Sequence, residues 1–189
     1  MAAWFLLANL RFMLRLRRSR RPYPVGNCPY PVYLVQGLPS PCLFGLFRPA
    51  VYLTPASVES PETLRHVLAH ETTHARHGDP IWSLLRCVCL AVYWFDPLVW
   101  AAAIVSRRDC ELACDEGALK RLGEDERIPY GRTLLRLIPV ARKPESPMLS
   151  ATTMTAGKRE LKDRVTRIAE NRRTVGVALL AVVTAAALV

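Results

Sequence analysis

The pattern of apolar and polar positions separates a folded middle of the chain from two apolar ends. Apolar residues recur at helical spacing over residues 62–77, which predicts an amphipathic helix. Ser60 supplies a cap before this helix, Pro61 suits its first turn, and Gly78 is the first of three residues that stop it. The sequence therefore predicts one helix over residues 62–77 whose start and end are both marked.

Further elements follow from the same pattern. Short β-rich stretches at 32–35 and 50–53 are separated by turn-forming glycines and prolines, which predicts a small sheet. The most apolar internal stretch, 81–105, is broken by Asp96 and Pro97, so we predict a hairpin of two short helices. Three more helices are predicted, at 107–122, 130–138 and 158–173.

The chain of 189 residues suits one domain with its own core, because this length can bury most of its apolar surface. The order of the elements predicts an α+β fold that is mainly helical and contains a small β-sheet. We assign the domain to residues 32–173. A basic linker at 17–31, punctuated by proline and glycine, leads into it.

Both apolar ends are predicted to lie in a membrane. The first segment, 1–16, is interrupted by arginines and fits the end of a span, whereas the last, 174–189, is uncharged and fits a transmembrane segment. Arginines follow the first segment and precede the last, so the positive-inside rule places the domain in the cytoplasm. A signal peptide would carry its basic residues before the apolar stretch, and export is therefore not expected.

The net charge of +10 comes from 26 Lys and Arg against 16 Asp and Glu. Nucleic-acid-binding proteins share such a balance, but here the arginines cluster beside the apolar ends and no recognition motif accompanies them. Direct binding of nucleic acid is therefore not expected. The six cysteines lack the spacing of a zinc finger or a disulfide-rich domain, which favours reduced thiols.

His70, Glu71 and His74 form an HExxH pattern inside the first predicted helix. The two histidines are four residues apart on one helix face and can bind the same ion, typically zinc. Glu71 is predicted to be the general base that takes a proton from the attacking water. The alternative is a polar helix surface, which this triplet makes the less favoured interpretation. His66 and His77 are not expected to be ligands.

A catalytic zinc site requires a third protein ligand and an open position. Glu111 and Asp115 are the acidic candidates, and their spacing lets one bind the metal while the other orients a ligand histidine. Glu116 is expected to point elsewhere. Peptide hydrolysis also needs a donor for the transition state, and Tyr130 and Arg107 are the candidates.

The expected ligands constrain the path of the chain. His70 and Glu111 lie on opposite sides of the apolar stretch 81–105, so a single membrane crossing would separate them. The stretch must therefore dip part-way into the bilayer and return, or pack within the domain.

Four stretches of the sequence resemble one known family. They are SPCLFGLFRP at 40–49, LAHETTHARHGD at 68–79, WFDPLVW at 94–100 and ELACDE at 111–116. Their combination is similar to the BlaR/MecR-type antirepressor metallopeptidases. The resemblance covers about residues 32–173 and is far more specific than the HExxH pattern alone.

The resemblance implies a gluzincin-like fold that binds Zn²⁺ through His70, His74 and Glu111, with Glu71 as the general base and Asp115 supporting a ligand histidine. It also implies a membrane-anchored endopeptidase of bacterial signalling, which cleaves a cytoplasmic protein such as a transcriptional repressor, or itself. Family members that sense β-lactams carry a large extracellular domain after the last span, whereas this sequence stops at Val189. Either the sequence is a fragment, or the sensor is absent or supplied by another chain, so the sensing role is not carried over.

Other functions stay open at this point. A housekeeping or prenyl-processing membrane metallopeptidase shares the HExxH and ExxxD patterns, and a catalytically silent membrane scaffold could retain the fold. The intact Glu71 weighs against silence, because loss of the base is the simplest route to it. Contact with membrane lipid and assembly into a homo-oligomer are both compatible with the apolar ends.

Overall fold

The computed structural model describes residues 2–26, 28–137, 152–153 and 158–170. Within these ranges the chain forms six α-helices and five short strands, with single 3₁₀ turns at Pro55–Val58 and Glu124–Glu126. The elements in chain order are α1 Ala2–Ser19, β1 Arg20–Pro22, β2 Val32–Val35, β3 Cys42–Phe44, β4 Ala50–Leu53, α2 Pro61–His77, α3 Asp79–Val92, α4 Pro97–Leu122, α5 Arg127–Leu137, β5 Thr152–Thr153 and α6 Lys158–Glu170. The predicted α+β class, mainly helical with a small sheet, is confirmed.

The sheet has the strand order β1-β2-β4-β3-β5 and is mixed. Strands β2 and β4 run parallel, and the other three pairs are antiparallel. The two strands predicted from sequence, β2 and β4, form the centre of the sheet with the predicted bounds. Strand β3 lies between β4 and β5 and also contacts α2, so it connects the sheet to the HExxH helix.

Helix α2 begins and ends as its flanking residues predict. The Ser60 hydroxyl accepts a hydrogen bond from the Thr63 amide at 3.1 Å, and Pro61 occupies the first turn. Gly78 ends the helix in the left-handed conformation, with φ of 72°, which glycine adopts without a steric penalty. Helix α3 starts at the next residue, Asp79.

The predicted break at Asp96 is present, but the second helix of the hairpin is not short. The Asp96 carboxylate accepts from the Leu98 amide at 2.8 Å and caps α4, which then continues to Leu122. The sequence predicts a division of this helix near Val105, because apolar residues give way to charged ones there. The change marks where α4 passes from an exposed apolar part to the buried part that carries Glu111 and Asp115, and it is not a helix end.

Two buried clusters enclose α2 from opposite sides. One joins α2 to the sheet through Val67, Leu43, Val51 and Leu53, all fully buried. The other is built by α4, α5 and α6, and its buried members are Ala118, Leu119, Tyr130, Leu134, Leu161 and Ile168. The HExxH helix is therefore held at the centre of the domain, where small displacements are resisted by packing on both sides.

The region predicted as a basic linker is partly ordered structure. Helix α1 extends through Ser19, and Arg20–Pro22 pairs with β2 as an edge strand. Leu16 is buried beside Val35 and Tyr52, so the end of α1 packs on the sheet. Among the described residues, no helix combines the length and the apolar composition that a membrane crossing requires. The predicted transmembrane segment 174–189 lies outside the described residues.

Candidate metal centre

The two histidines of the HExxH pattern point their Nε2 atoms toward one another. His70 Nε2 and His74 Nε2 are 3.0 Å apart, and both side chains are fully buried. The helical spacing of four residues produces this juxtaposition, because it places both rings on one face of α2, where they meet edge to face with their centroids 4.7 Å apart. Glu71 follows His70 on the same helix and is also fully buried.

Helix α4 brings Glu111 to the two histidines. Its Oε2 lies 3.5 Å from His70 Nε2, and its Oε1 lies 3.6 Å from His74 Nε2. Close packing of α4 on α2 allows this approach. At Gly117 a Cβ atom would lie only 2.7 Å from Thr73 Cγ2, so a larger residue at this crossing would force the neighbouring atoms to shift.

The three residues fit a tetrahedral metal ion. Zinc bound to nitrogen and oxygen at about 2.0 to 2.1 Å separates its tetrahedral ligand atoms by roughly 3.3 Å. The separations of 3.0, 3.5 and 3.6 Å scatter about that value. Two imidazoles and one carboxylate are also a donor set that zinc prefers. The predicted ligands His70, His74 and Glu111 are thus brought together as the spacing required.

The charges around Glu111 favour its ionised form, the carboxylate, beside the two histidines. Burial raises the pKa of Glu111, but Arg164 and the two histidines together outweigh it and lower the pKa to about 2. Burial lowers the pKa of His70, but Asp115 and Glu111 raise it to about 9. A metal ion binds the neutral imidazole, so metal binding at His70 would be coupled to its charge state.

Within the described parts of the chain neither carboxylate oxygen of Glu71 has a well-formed hydrogen bond, and the Leu43 backbone is a weak partner. Burial is the main reason that its pKa is raised, while the nearby histidines and the Leu43 backbone lower it less. A buried carboxylate with so little hydrogen bonding is costly unless a water molecule, a substrate or an ion occupies the space beside it. The Glu71 carboxylate, with its raised pKa, is therefore suited to accepting a proton.

A second set of side chains holds the Nδ1 atoms of the histidines. Tyr130 Oη lies 2.8 Å from His70 Nδ1 and donates to Asp115 Oδ1, also at 2.8 Å. Asp115 itself approaches His70 Nδ1 to 3.2 Å. On the other ring, Asp79 Oδ2 lies 2.6 Å from His74 Nδ1. Hydrogen bonds to Nδ1 fix the ring orientation and leave Nε2 to face a metal.

The structure places the remaining predicted residues away from the three ligands or behind them. Tyr130 is behind His70, where its hydroxyl proton is given to Asp115, so the geometry favours a positioning role over a transition-state role. Arg107 is half-buried one turn before Glu111 on α4. Glu116 points elsewhere, as predicted, and pairs with Lys120 at 2.8 Å.

His66 is fully buried and its ring packs edge-on against the Tyr130 ring, with centroids 5.7 Å apart. Its Nε2 lies 2.9 Å from Glu126 Oε2, and its Nδ1 lies 2.8 Å from the Thr133 hydroxyl. These contacts join α2 to α5 and to the turn before it. His66 therefore supports the layer behind His70, and together with Glu62 and Glu126 it also forms a second, more exposed group of potential metal ligands.

Three residues at the centre are not predicted from the sequence. The sequence assigns Asp79 only to the helix stop, and Cys114, whose Sγ lies 3.0 Å from His74 Nδ1, only to the reduced thiols. Arg164 is 1% exposed although it lies on a basic helix. A signal for it existed, because Arg164 shares the i, i+3, i+4, i+7 face of Leu161, Val165 and Ile168. An arginine on an apolar face needs a buried partner.

Two histidines one helical turn apart and a glutamate from a second helix, on this mainly helical fold, define the ligand arrangement of a metallopeptidase-like domain. The chain belongs to the BlaR1 peptidase M56 family, whose model matches residues 26–168. The family resemblance found in the sequence is confirmed.

Two relatives illustrate the match. The chain is 29% identical over 130 residues to the regulatory protein BlaR1 of Bacillus licheniformis, covering 68% of this chain and 22% of that protein. It is 27% identical over 132 residues to the methicillin resistance protein MecR1 of Staphylococcus aureus, covering 69% of this chain and 22% of that protein. The match therefore spans about a fifth of the length of these relatives.

Proposed function

We propose that this domain is a zinc-dependent endopeptidase of the cell membrane whose site faces the cytoplasm. The observation that carries the proposal is the convergence of His70, His74 and Glu111 beside the fully buried carboxylate of Glu71. The match to a peptidase family supports hydrolysis of a peptide bond over other zinc chemistry. Zinc held by these residues would polarise a substrate carbonyl and strengthen water as an acid.

Each residue of the site has a role in this proposal. Glu71 accepts a proton from the attacking water, and its raised pKa makes it a stronger base than an exposed carboxylate. It then returns the proton to the leaving amine. Asp115 and Tyr130 hold the His70 ring, and Asp79 holds the His74 ring. Arg107, on the Glu111 helix, stays a prediction as a transition-state donor.

The substrate is proposed to be a protein segment bound as an extended strand, either from a cytoplasmic regulator such as a repressor or from this chain. Support comes from β3, whose Leu43 backbone is close enough to Glu71 to influence its pKa. Thr152–Thr153 pairs with β3 in an antiparallel register, Leu43 opposite Thr152. An extended segment there would run past Glu71, as in recognition by strand addition. This pairing favours the self-cleavage form of the proposal.

Membrane association is proposed to involve the hairpin of α3 and the first half of α4. Its apolar side chains are exposed to an extent unusual for a soluble surface: Ile81 64%, Leu85 50%, Val92 56%, Trp94 56%, Phe95 68%, Leu98 76% and Ile104 59%. Aromatic residues at its tip suit the bilayer interface. We expect Trp94→Ser with Phe95→Ser to reduce flotation with anionic lipid vesicles, whereas Phe47→Ser, in the β3–β4 turn, leaves it unchanged.

The first experiment measures zinc content and self-cleavage on the same detergent-purified full chain. We expect about one zinc per chain in the wild type, and much less in His74→Ala and Glu111→Gln. Glu71→Gln should retain zinc but produce no new termini by mass spectrometry, while Glu116→Gln, a neighbouring acidic control, behaves as the wild type. A folded wild type without zinc would refute the proposal. Zinc without cleavage of any protein would favour the scaffold alternative.

A further inference from the structure

Helix α6 places the buried, positively charged side chain of Arg164 beside the candidate metal centre. Arg164 is 1% exposed, and its Nε and Nη2 donate to the two oxygens of Asp115 at 2.7 and 2.8 Å. This two-point arrangement is the geometry in which arginine binds a carboxylate most specifically. Arg164 therefore fixes both the position and the tilt of Asp115, the residue that contacts His70 Nδ1.

The third guanidinium nitrogen turns to the ligand carboxylate. Arg164 Nη1 lies 3.1 Å from Glu111 Oε2, the oxygen that also faces His70 Nε2. In the described residues neither of these two buried atoms has a well-formed hydrogen bond. One arginine thus spans two carboxylates that are four residues apart on α4, and it stands directly behind the ligand oxygen.

From this arrangement we infer that Arg164 is a positioning residue that sets Glu111 and Asp115 for metal binding, so that tight binding requires α6 to be docked. The inference rests on the proposed zinc site. Two carboxylates buried side by side repel each other and lose their hydration, and a buried counter-charge offsets both costs. Side chains that orient metal ligands contribute about 10- to 100-fold to metal affinity.

Other contacts hold α6 in place, so the role of Arg164 can be separated from the docking of its helix. Leu161 and Ile168 are buried in the cluster shared with Tyr130 and Leu134. The Ile168 carbonyl also accepts a hydrogen bond from Arg127 Nη1 at 3.1 Å. A variant at position 164 can therefore lose its charge contacts while α6 stays packed.

The test measures the zinc dissociation constant of the detergent-purified full chain by competition with a chelator. Arg164→Gln removes the charge, Arg164→Lys retains it without the planar fork, and Lys162→Gln removes an exposed charge from the same helix. We expect zinc binding to weaken about 10- to 100-fold in Arg164→Gln. Arg164→Lys should fall between it and the wild type, and Lys162→Gln should match the wild type.

The visible absorption of Co²⁺-loaded protein provides a second readout, because it reports the ligand geometry and does not follow overall stability. We expect the spectrum of Arg164→Lys to differ from those of the wild type and Lys162→Gln. A folded Arg164→Gln with wild-type zinc affinity and spectrum would overturn the inference alone. If Arg164→Gln does not fold, equality of Arg164→Lys with the wild type in both readouts overturns it. A wild type that binds no zinc refutes the proposed function itself.

Discussion

The crossing of α2 and α4 at Gly117 determines how closely the two ligand-bearing helices approach. Replacement of Gly117 by alanine places a Cβ atom 2.7 Å from Thr73 Cγ2, roughly 1 Å inside the normal carbon contact of about 3.5 to 4.0 Å. Thr73 cannot turn away freely, because its hydroxyl donates to the Ala69 carbonyl at 2.7 Å and accepts from Arg121. The helices must therefore separate, or those hydrogen bonds must break.

The expected cost can be worked from these contacts. Overpacking of a buried site costs about 1 to 3 kcal/mol, and a lost hydrogen bond adds about 1 kcal/mol. The higher helix propensity of alanine offsets about 1 kcal/mol. Gly117→Ala should therefore destabilise the fold by about 1 to 3 kcal/mol, which lowers the melting temperature by about 3 to 10 °C for a chain of this length.

A matched glycine substitution should change the stability of the fold in the opposite direction. Gly131 also lies in a helix, α5, and a Cβ atom there would meet Ile168 Cγ2 at 3.7 Å, an ordinary contact. Gly131→Ala should therefore stabilise the fold by about 0.5 to 1 kcal/mol through helix propensity alone. Thermal unfolding of the metal-free full chain, followed by circular dichroism, compares the two variants. A rise in melting temperature for Gly117→Ala equal to that of Gly131→Ala would refute the reasoning about the crossing.

Three further predictions concern the surroundings of the site. Asp79→Asn removes the charged partner of His74 Nδ1 and should weaken zinc binding about 10-fold or more in a chelator competition; unchanged affinity would contradict this role. Hydrogen bonds from His66 and Arg65 lower the pKa of Glu126, so its contribution to stability is present above the unfolded-state pKa and is lost as the pH falls through the folded-state pKa. Glu126→Gln should therefore flatten the acid side of a plot of melting temperature against pH, and an unaltered slope would count against the contact. Leu134→Ala, at a fully buried position, should cost about 2 to 5 kcal/mol in chemical denaturation, whereas Leu135→Ala, 55% exposed, should cost far less; equal losses would refute the assigned core.

The part of the site that the sequence predicted is the part encoded by local spacing. His70 and His74 had to meet because a helix places residues four apart on one face, and the cap at Ser60 and the stop at Gly78 established that helix. Strands β2 and β4 were recognisable because β-branched and apolar residues lie between turn signals. The general site could therefore be located before any tertiary information.

The part that the sequence did not predict depends on contacts between distant segments. The basic composition of α6 does not predict that Arg164 pairs with a residue on α4. Only the position of Arg164 on an apolar helix face indicates that it is buried. Asp79 meets His74 across the left-handed residue Gly78, where the sequence predicts a helix stop but not the path that the chain takes after it. Strand β5 is two residues long, too short to carry any pattern of its own.

The pairing of Arg164 with Asp115 has a consequence for biosynthesis. The two residues are 49 positions apart, and all other described components of the centre precede the arginine in the chain. At about 5 to 20 residues per second, translation reaches Arg164 roughly 2 to 10 s after Asp115. During that interval the nascent protein already has its histidines and both carboxylates, but it lacks the cation between them. Vectorial synthesis thus makes the counter-charge the last part of the centre to be added.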